Sequence, residues 1–390
     1  MERLVRVSMT LILSWIVFAA GTLWVLGENI PEDDTLYSKI NARAAVLADG
    51  DTGRILWGKN EDESMAMAST TKIMTCLVAL ENCDLNENVT ISEYAASMPD
   101  VKLNAMAGDV FRMEDLLYAL MLESDNDVAV AIAEHVGGSV ESFAEMMNGR
   151  ARKMGCERTC FVTPNGLDAP GHATTAAELA KIASEAIKNT DFVKIIGTEY
   201  HSFSNTDDTR HYEVSNKNAF LSMMPGAFGI KTGFTGDAGY CFVGALEDDG
   251  RRFISVVLGS GWPPDKNLKW TDTRNLMNYG LEHFHRKETS IKNIKMGEIK
   301  VEGGVKDTVL LMVEDIPEKI LMGDTEEIQI SSMYLLSCKA PVEKHTLVGQ
   351  VNFKIGDDIV KNCKIYTEET VEKKTFLFAV KKIFTEWIGL

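Results

Sequence analysis

Apolar and polar positions divide this chain into stretches of different period. Between residues 44 and 57 two short apolar runs flank Asp49-Gly50-Asp51-Thr52-Gly53, which predicts a β-hairpin. From 68 to 80 the apolar spacing turns helical, and Ser69, Thr70 and Thr71 can serve the helix start. Helical period recurs over 113–122, 126–135, 140–154, 175–187 and 266–284. The segments 229–232, 239–246 and 252–258 are β-branched or apolar, bounded by glycines, and predict strands. Strands at both ends with helices between them imply one α/β unit, spanning 36–286, on a largely antiparallel sheet.

Past residue 290 the helical period fades. Short alternating runs replace it, such as Val351-Asn352-Phe353-Lys354-Ile355 before the turn Gly356-Asp357-Asp358. The segment 290–372 is therefore expected to be a small all-β domain of about 80 residues, an independent size. The tail 373–390 differs again. On a helix, Phe376, Val380, Ile383, Phe384, Trp387 and Leu390 share one arc, with Lys374, Lys381, Lys382 and Thr385 mainly opposite and Phe378 the exception. Such a basic, Trp-bearing helix suits a membrane surface with anionic lipid.

The first 27 residues form a separate object. Arg3 and Arg6 precede an uncharged apolar run from Met9 to Leu26, with small residues at Ala19, Ala20, Gly21 and Gly27. This reads as a signal peptide cleaved after Gly21 or Gly27, the alternative being an uncleaved anchor. Either places the rest of the chain outside the cytoplasm, associated with the outer face of the cytoplasmic membrane.

Charge narrows the function. Of 390 residues, 40 are Lys or Arg and 57 Asp or Glu, a net charge of −17, which argues against nucleic acid as a partner. Hydrophobic residues at 45% with 25% charged exclude wholesale disorder. The seven cysteines are odd in number and lack framework spacing; Cys156 and Cys160 stand four apart without a second pair and matching histidines. No metal or cofactor is implied.

Three short motifs carry the chemistry: Ser69-Thr70-Thr71-Lys72, Ser124-Asp125-Asn126 and Lys231-Thr232-Gly233. Each alone is weak, and Ser69 or Ser124 could be nothing more than a helix cap. Together they fall in order at a helix start, an interhelix loop and a strand, where one mechanism needs them. A three-residue spacing puts Ser69 and Lys72 side by side on a helix face. A serine hydroxyl needs a neighbouring base, and lysine serves only when neutral, which burial and a second cation such as Lys231 favour. Ser124 would relay a proton between the amines. Asn126 can meet a substrate peptide bond, and Lys231 with Thr232 a terminal carboxylate. Gly233 leaves room for substrate backbone against its strand. Backbone N–H groups of Ser69 and Phe234 would form the oxyanion hole.

With these motifs the chain resembles the low-molecular-mass penicillin-binding proteins, the serine-type D-alanyl-D-alanine carboxypeptidases. The likeness extends to Asp51-Thr52-Gly53 and Lys59-Asn60 before Met67-Ala68-Ser69-Thr70-Thr71-Lys72-Ile73-Met74-Thr75. It also includes Phe161-Val162-Thr163-Pro164-Asn165-Gly166-Leu167-Asp168, followed by His172 and Thr174-Thr175-Ala176. It covers nearly the whole chain. The resemblance implies a catalytic domain of the penicillin-recognising serine transpeptidase/β-lactamase type, an antiparallel sheet with helices, plus the all-β C-terminal domain. It further implies removal of the terminal D-alanine from peptidoglycan stem peptides and acylation of Ser69 by β-lactams.

Two positions depart from the family. Asp125 stands where a small residue is usual, and is expected to face outward, away from a substrate carboxylate. Lys266 and Lys269 are the nearest cations where the family often has arginine. Among rivals, a β-lactamase would need a deacylating carboxylate in E-x-x-L-N, whereas Glu185 and Asn189 have only the spacing. Transpeptidation or endopeptidase activity differs from hydrolysis in the bond presented or the acceptor. An inactive wall-binding homologue would be expected to lack some of these side chains.

Overall fold

The computed structural model describes residues 34–289, 296–380 and 387. The expected signal peptide, the start of the second domain and half of the tail helix (381–386 and 388–390) lie outside these residues. A leading unit ends at Ser38, where its described part begins the short helix Asp34–Lys39; a second unit runs from Lys39 onward.

The sheet that positions the site begins with β1 (Ala44–Asp49) and β2 (Ile55–Lys59). Two small hairpins follow, β3 (Asn88–Thr90) with β4 (Val110–Arg112) and β5 (Tyr200–Ser204) with β6 (His211–Ser215). Then come β7 (Ala227–Thr235), β8 (Gly239–Asp248) and β9 (Arg251–Leu258). The five-stranded sheet has the order β2-β1-β9-β8-β7 and is antiparallel throughout.

Every residue of β1 is buried, so both of its faces are covered. Alternation sorts them. Val46, Ile254 and Val256 join the main apolar core, while Leu47 and Phe253 meet Gly280 of the last helix of this half.

The longer helices among the described residues are α1 (Lys72–Asn82), α2 (Met113–Leu122), α3 (Asn126–Gly137), α4 (Val140–Lys153), α5 (Ala176–Ala186), α6 (Thr190–Gly197) and α7 (Leu268–His283). In α1 every residue from Lys72 to Ala79 is buried, as its nearly unbroken apolar sequence requires. It does not start at residue 68 as the pattern suggested. A 3₁₀ turn, Ala68–Thr71, comes first, in which Thr70 and Thr71 hydroxyls donate to the carbonyls of Met67 and Ala68 at 2.5 and 2.8 Å instead of capping.

The second half opens immediately after α7. Strand β10 (Phe284–Glu288) pairs with β13 (Lys319–Gly323). The other strands are β11 (Glu298–Glu302), β12 (Thr308–Val313), β14 (Ile328–Tyr334), β15 (Ser337–Lys339), β16 (Leu347–Ile355) and β17 (Asp358–Thr367). They form a six-stranded sheet, β14-β16-β17-β12-β11-β15, over a separate core around Val351, Phe353 and Ile365. The halves are joined by buried Arg54 in the β1–β2 hairpin, bonded to Glu326 at 2.6 and 3.1 Å and to the Leu321 carbonyl at 3.1 Å. Among the described residues no helix is long and apolar enough to cross a membrane.

Candidate active site

The 3₁₀ turn carries Ser69, and Lys72 is the first residue of α1, so their spacing brings Nζ to 3.1 Å from Ser69 Oγ. Lys72 is wholly buried, yet its amine also contacts Asn126 Oδ1 at 2.9 Å and the Asn165 carbonyl at 2.6 Å. Burial, then repulsion from Lys231, holds its pKa well below the ordinary lysine value. A neutral amine has two N–H donors and one lone pair. Nζ donates to Ser69 Oγ, whose own hydroxyl lies 3.4 Å from the Asn165 carbonyl; once the amine is neutral, with Asn126 and Asn165 accepting its two N–H groups, its lone pair is the acceptor left for the Ser69 proton.

Ser124 and Asn126 arrive from the loop between α2 and α3. Ser124 has φ +80°, a left-handed conformation rare for serine and common at functional turns. Its Oγ is buried without a hydrogen-bond partner among the described residues. Asn126 opens α3, its amide nitrogen donating to the Pro99 carbonyl at 3.1 Å.

Asp125 corrects an expectation: it does not face out but is 1% exposed, with Oδ2 unpaired. Repulsion of a substrate carboxylate favours an outward side chain, but two buried amines, Lys72 and Lys231, attract Asp125 inward. Burial, then Asp127 and Glu123, outweigh that attraction and push its carboxyl up to about 8.

The third motif lies on β7. Lys231 is 2% exposed, and burial pushes its amine down to about 8. Thr232 is half-buried, and Phe234 is 44% exposed with its ring 4.6 Å from that of Tyr240. Gly233 has a role beyond the one read in the sequence. A Cβ there would stand 3.0 Å from the Ser69 nitrogen and 3.1 Å from that of Thr70. The missing side chain lets the strand close on the nucleophile's own turn.

Other residues complete the site without having been assigned roles. Asp127 accepts backbone N–H groups of Leu103 and Ala105 at 2.9 and 3.3 Å, fixing the loop beside Asn126. Its signal was an acidic residue in the first turn of a helix. Buried His172 takes the Val162 N–H on Nδ1 at 3.0 Å, so Nε2 carries the proton and donates to Thr71 Oγ1 at 2.8 Å. Burial pushes this imidazole down to about 4, keeping it neutral. Thr235 on β7 donates to Asp168 at 2.7 Å, tying the strand to the loop that holds Asn165.

Lys269 is turned into its own surroundings. Its amine lies over the rings of Tyr240 and Trp270 at 4.6 and 4.7 Å and donates to the Lys266 carbonyl. Glu185 is bonded to Arg150 and Lys188 at 2.8 and 2.7 Å, and Asn189 caps α6. Neither is free to serve as the deacylating pair of a β-lactamase.

Known proteins match this arrangement. A family described as D-alanyl-D-alanine carboxypeptidase matches residues 29–261, and one described as penicillin-binding protein 5, C-terminal domain, matches 282–373. The chain is 29% identical to D-alanyl-D-alanine carboxypeptidase DacF of Bacillus subtilis, over 89% of this chain and 90% of that one. It is 33% identical to a D-alanyl-D-alanine carboxypeptidase of Streptomyces sp. K15, covering 72% of this chain and 99% of the relative. Among solved structures, penicillin-binding protein 5 of Haemophilus influenzae superposes with a TM-score of 0.68 at 27% identity, over 86% of this chain and 98% of that one.

Proposed function

The chain belongs to the D-alanyl-D-alanine carboxypeptidase family, and from that membership we propose how its residues divide the reaction. It is a serine peptidase that removes the terminal D-alanine of peptidoglycan stem peptides through an acyl-enzyme and is acylated by penicillins. Ser69 Oγ attacks the carbonyl carbon of the penultimate D-alanine, and its proton passes to neutral Lys72 Nζ. The tetrahedral oxyanion accepts hydrogen bonds from the backbone N–H groups of Ser69 and Phe234. Collapse breaks the peptide bond, and the departing amine takes a proton relayed from Lys72 through Ser124. Water then attacks the ester, returning the acyl carbon to a free carboxylate and the proton to Ser69. Protonated Lys231 with Thr232 holds the substrate's terminal carboxylate, and Asn126 orients the peptide.

The observation that carries this reading is the 3.1 Å approach of the fully buried Lys72 amine, its pKa lowered by burial and by Lys231, to Ser69 Oγ. Mass spectrometry of a pentapeptide ending in D-Ala-D-Ala, with and without an acceptor amine, tests it. Release of one alanine with an unmodified shortened peptide supports carboxypeptidase action. Transfer to the amine would make transpeptidation the dominant route, and an inert protein would sink both.

The protein acts outside the cytoplasm, on the outer face of the cytoplasmic membrane. Supporting this are the basic and apolar residues 1–27 and the amphipathic pattern of 373–390, of which Phe376, Leu377 and Trp387 are 83%, 81% and 85% exposed. Co-sedimentation with anionic liposomes, comparing protein from Glu28 onward with and without residues 373–390, is the test. Equal sedimentation of the two would place the anchor elsewhere.

A further inference from the structure

We propose that Cys83, Glu87 and His135 form a three-ligand site for a divalent transition ion of zinc's class, clipping together the far ends of two catalytic helices. Cys83 is the C-terminal cap of α1, which Lys72 opens; His135 lies in the last turns of α3, which Asn126 opens. Glu87 stands in the turn leading from Cys83 to β3. At about 1.5 Å per residue the two helices place this triad roughly 15 Å from Lys72 and Asn126. It is therefore separate from the peptidase chemistry and independent of that reading.

The geometry is that of a coordination shell. One ligand atom from each side chain lies within 4.8 Å of the other two. His135 Nε2 and Glu87 Oε2 are 3.1 Å apart. The edge of a tetrahedron built on bonds of about 2.1 Å is roughly 3.4 Å, so a small inward movement of the sulfur closes the site. A thiol, an imidazole and a carboxylate suit zinc and its neighbours, whereas calcium and magnesium require oxygen alone. Partial exposure, 27% for the His135 side chain and 47% for that of Glu87, leaves a fourth position to water.

The ligands are also held in place beforehand. Glu87 Oε1 accepts the Asp84 N–H at 2.9 Å, which fixes the carboxylate and turns Oε2 to His135. The turn's backbone is pinned by Met113 N–H on the Glu87 carbonyl at 2.9 Å and Glu114 N–H on that of Leu85 at 3.0 Å. The carbonyl end of α3 adds a favourable dipole for a cation. Coordination replaces the sulfur–hydrogen bond with a sulfur–metal bond and releases one proton to solvent. Nothing is oxidised or reduced.

Full-length protein, stripped with a chelator, should be titrated with Zn²⁺ by calorimetry and with Co²⁺ by absorption. One equivalent of Zn²⁺ is expected to bind and to raise the melting temperature. Co²⁺ should give a near-ultraviolet thiolate-to-metal band with ligand-field bands of tetrahedral intensity. Cys83→Ser should abolish the thiolate band, and His135→Gln and the nearly isosteric Glu87→Gln should each weaken binding more than about tenfold. All three should cleave a small soluble peptide at the wild-type rate, since none touches the catalytic groups. Absence of stoichiometric uptake, a band that survives Cys83→Ser, or unchanged affinity in His135→Gln and Glu87→Gln would each overturn the site.

Discussion

Gly166 lies against Ala68 so closely that a Cβ on it would stand 2.0 Å from the Ala68 carbonyl oxygen. Its φ of +83° is a second reason for glycine. This contact seats the loop that aims the Asn165 carbonyl at Lys72 Nζ. One position without a side chain thus helps set which way the Lys72 lone pair points.

Gly166→Ala should therefore damage catalysis through geometry alone. Moving the Asn165 carbonyl by an ångström is expected to cost about a hundredfold in acylation rate, the scale set by misplaced reacting groups. The melting temperature should fall as well, because the clash is with backbone. Stopped-flow acylation by a chromogenic β-lactam and a thermal melt check both, and a wild-type acylation rate would show that the loop has other ways to reach Lys72.

Removing the reacting groups should separate their roles. Ser69→Ala is expected to lose both peptide cleavage and covalent penicillin binding while staying folded. Lys72→Ala should stop acylation and also lower stability, since it leaves Asn126 Oδ1 and the Asn165 carbonyl buried without their donor, about 1–3 kcal/mol for each group left unpaired. Lys231→Ala should fail mainly in recognising the substrate carboxylate, seen as a raised KM. A stable penicillin adduct on Ser69→Ala, or identical mild defects from the two lysine changes, would contradict this division.

The elements that were legible in the sequence are those whose burial repeats. Helix α2 was read with its observed ends because Met113, Leu116, Leu117 and Leu120 all face the core. The strands β7, β8 and β9 were read five, two and one residues short, since pairing extends beyond their apolar centres. Helix α6 and the hairpins β3–β4 and β5–β6 are too short for a period to emerge. The motifs showed which side chains react. They could not show what orients them, because Asn165 acts through its carbonyl, Gly166 and Gly233 through missing atoms, and Asp127 through backbone N–H groups at Leu103 and Ala105. Asp125 was misread because only a substrate carboxylate was set against it, although the motifs already placed its neighbour Ser124 between the Lys72 and Lys231 amines.

Arg54 gives a prediction about the two halves. Its guanidinium is buried and bidentate to Glu326, with the Leu321 carbonyl as a third acceptor. Arg54→Ala should loosen the C-terminal half, with a loss of about 3–5 kcal/mol, the usual result of removing one partner from a buried ion pair. Hydrolysis of a small soluble peptide should be unchanged. Urea unfolding followed in both halves reads the effect, and a single unshifted transition would show that the ion pair contributes little.

The last prediction concerns Asp125, whose carboxyl is pushed up to about 8 chiefly by burial. Its charge acts on both amines, raising the pKa of Lys72 and of Lys231. Asp125 carries its charge only as pH rises through about 8, where Lys231 also titrates. Asp125→Asn removes that charge, so Lys231 should lose its proton, and the substrate carboxylate its partner, at lower pH. The alkaline limb of kcat/KM against pH should therefore move toward acid, while the acid limb, set by Lys72 where Asp125 is already neutral, should stay in place. Stability follows from the same shift. A carboxyl whose folded pKa exceeds its unfolded value of about 3.9 favours the fold fully below that value and loses the contribution as pH rises through about 8. Relative to the wild type, Asp125→Asn should gain melting temperature progressively between about pH 4 and 8, and the gap should then level off. Melts and initial rates across that range measure both effects on the same protein. If the bell stays in place and the two melting curves run parallel, Asp125 is a buried neutral group with no part in setting the charge of the site.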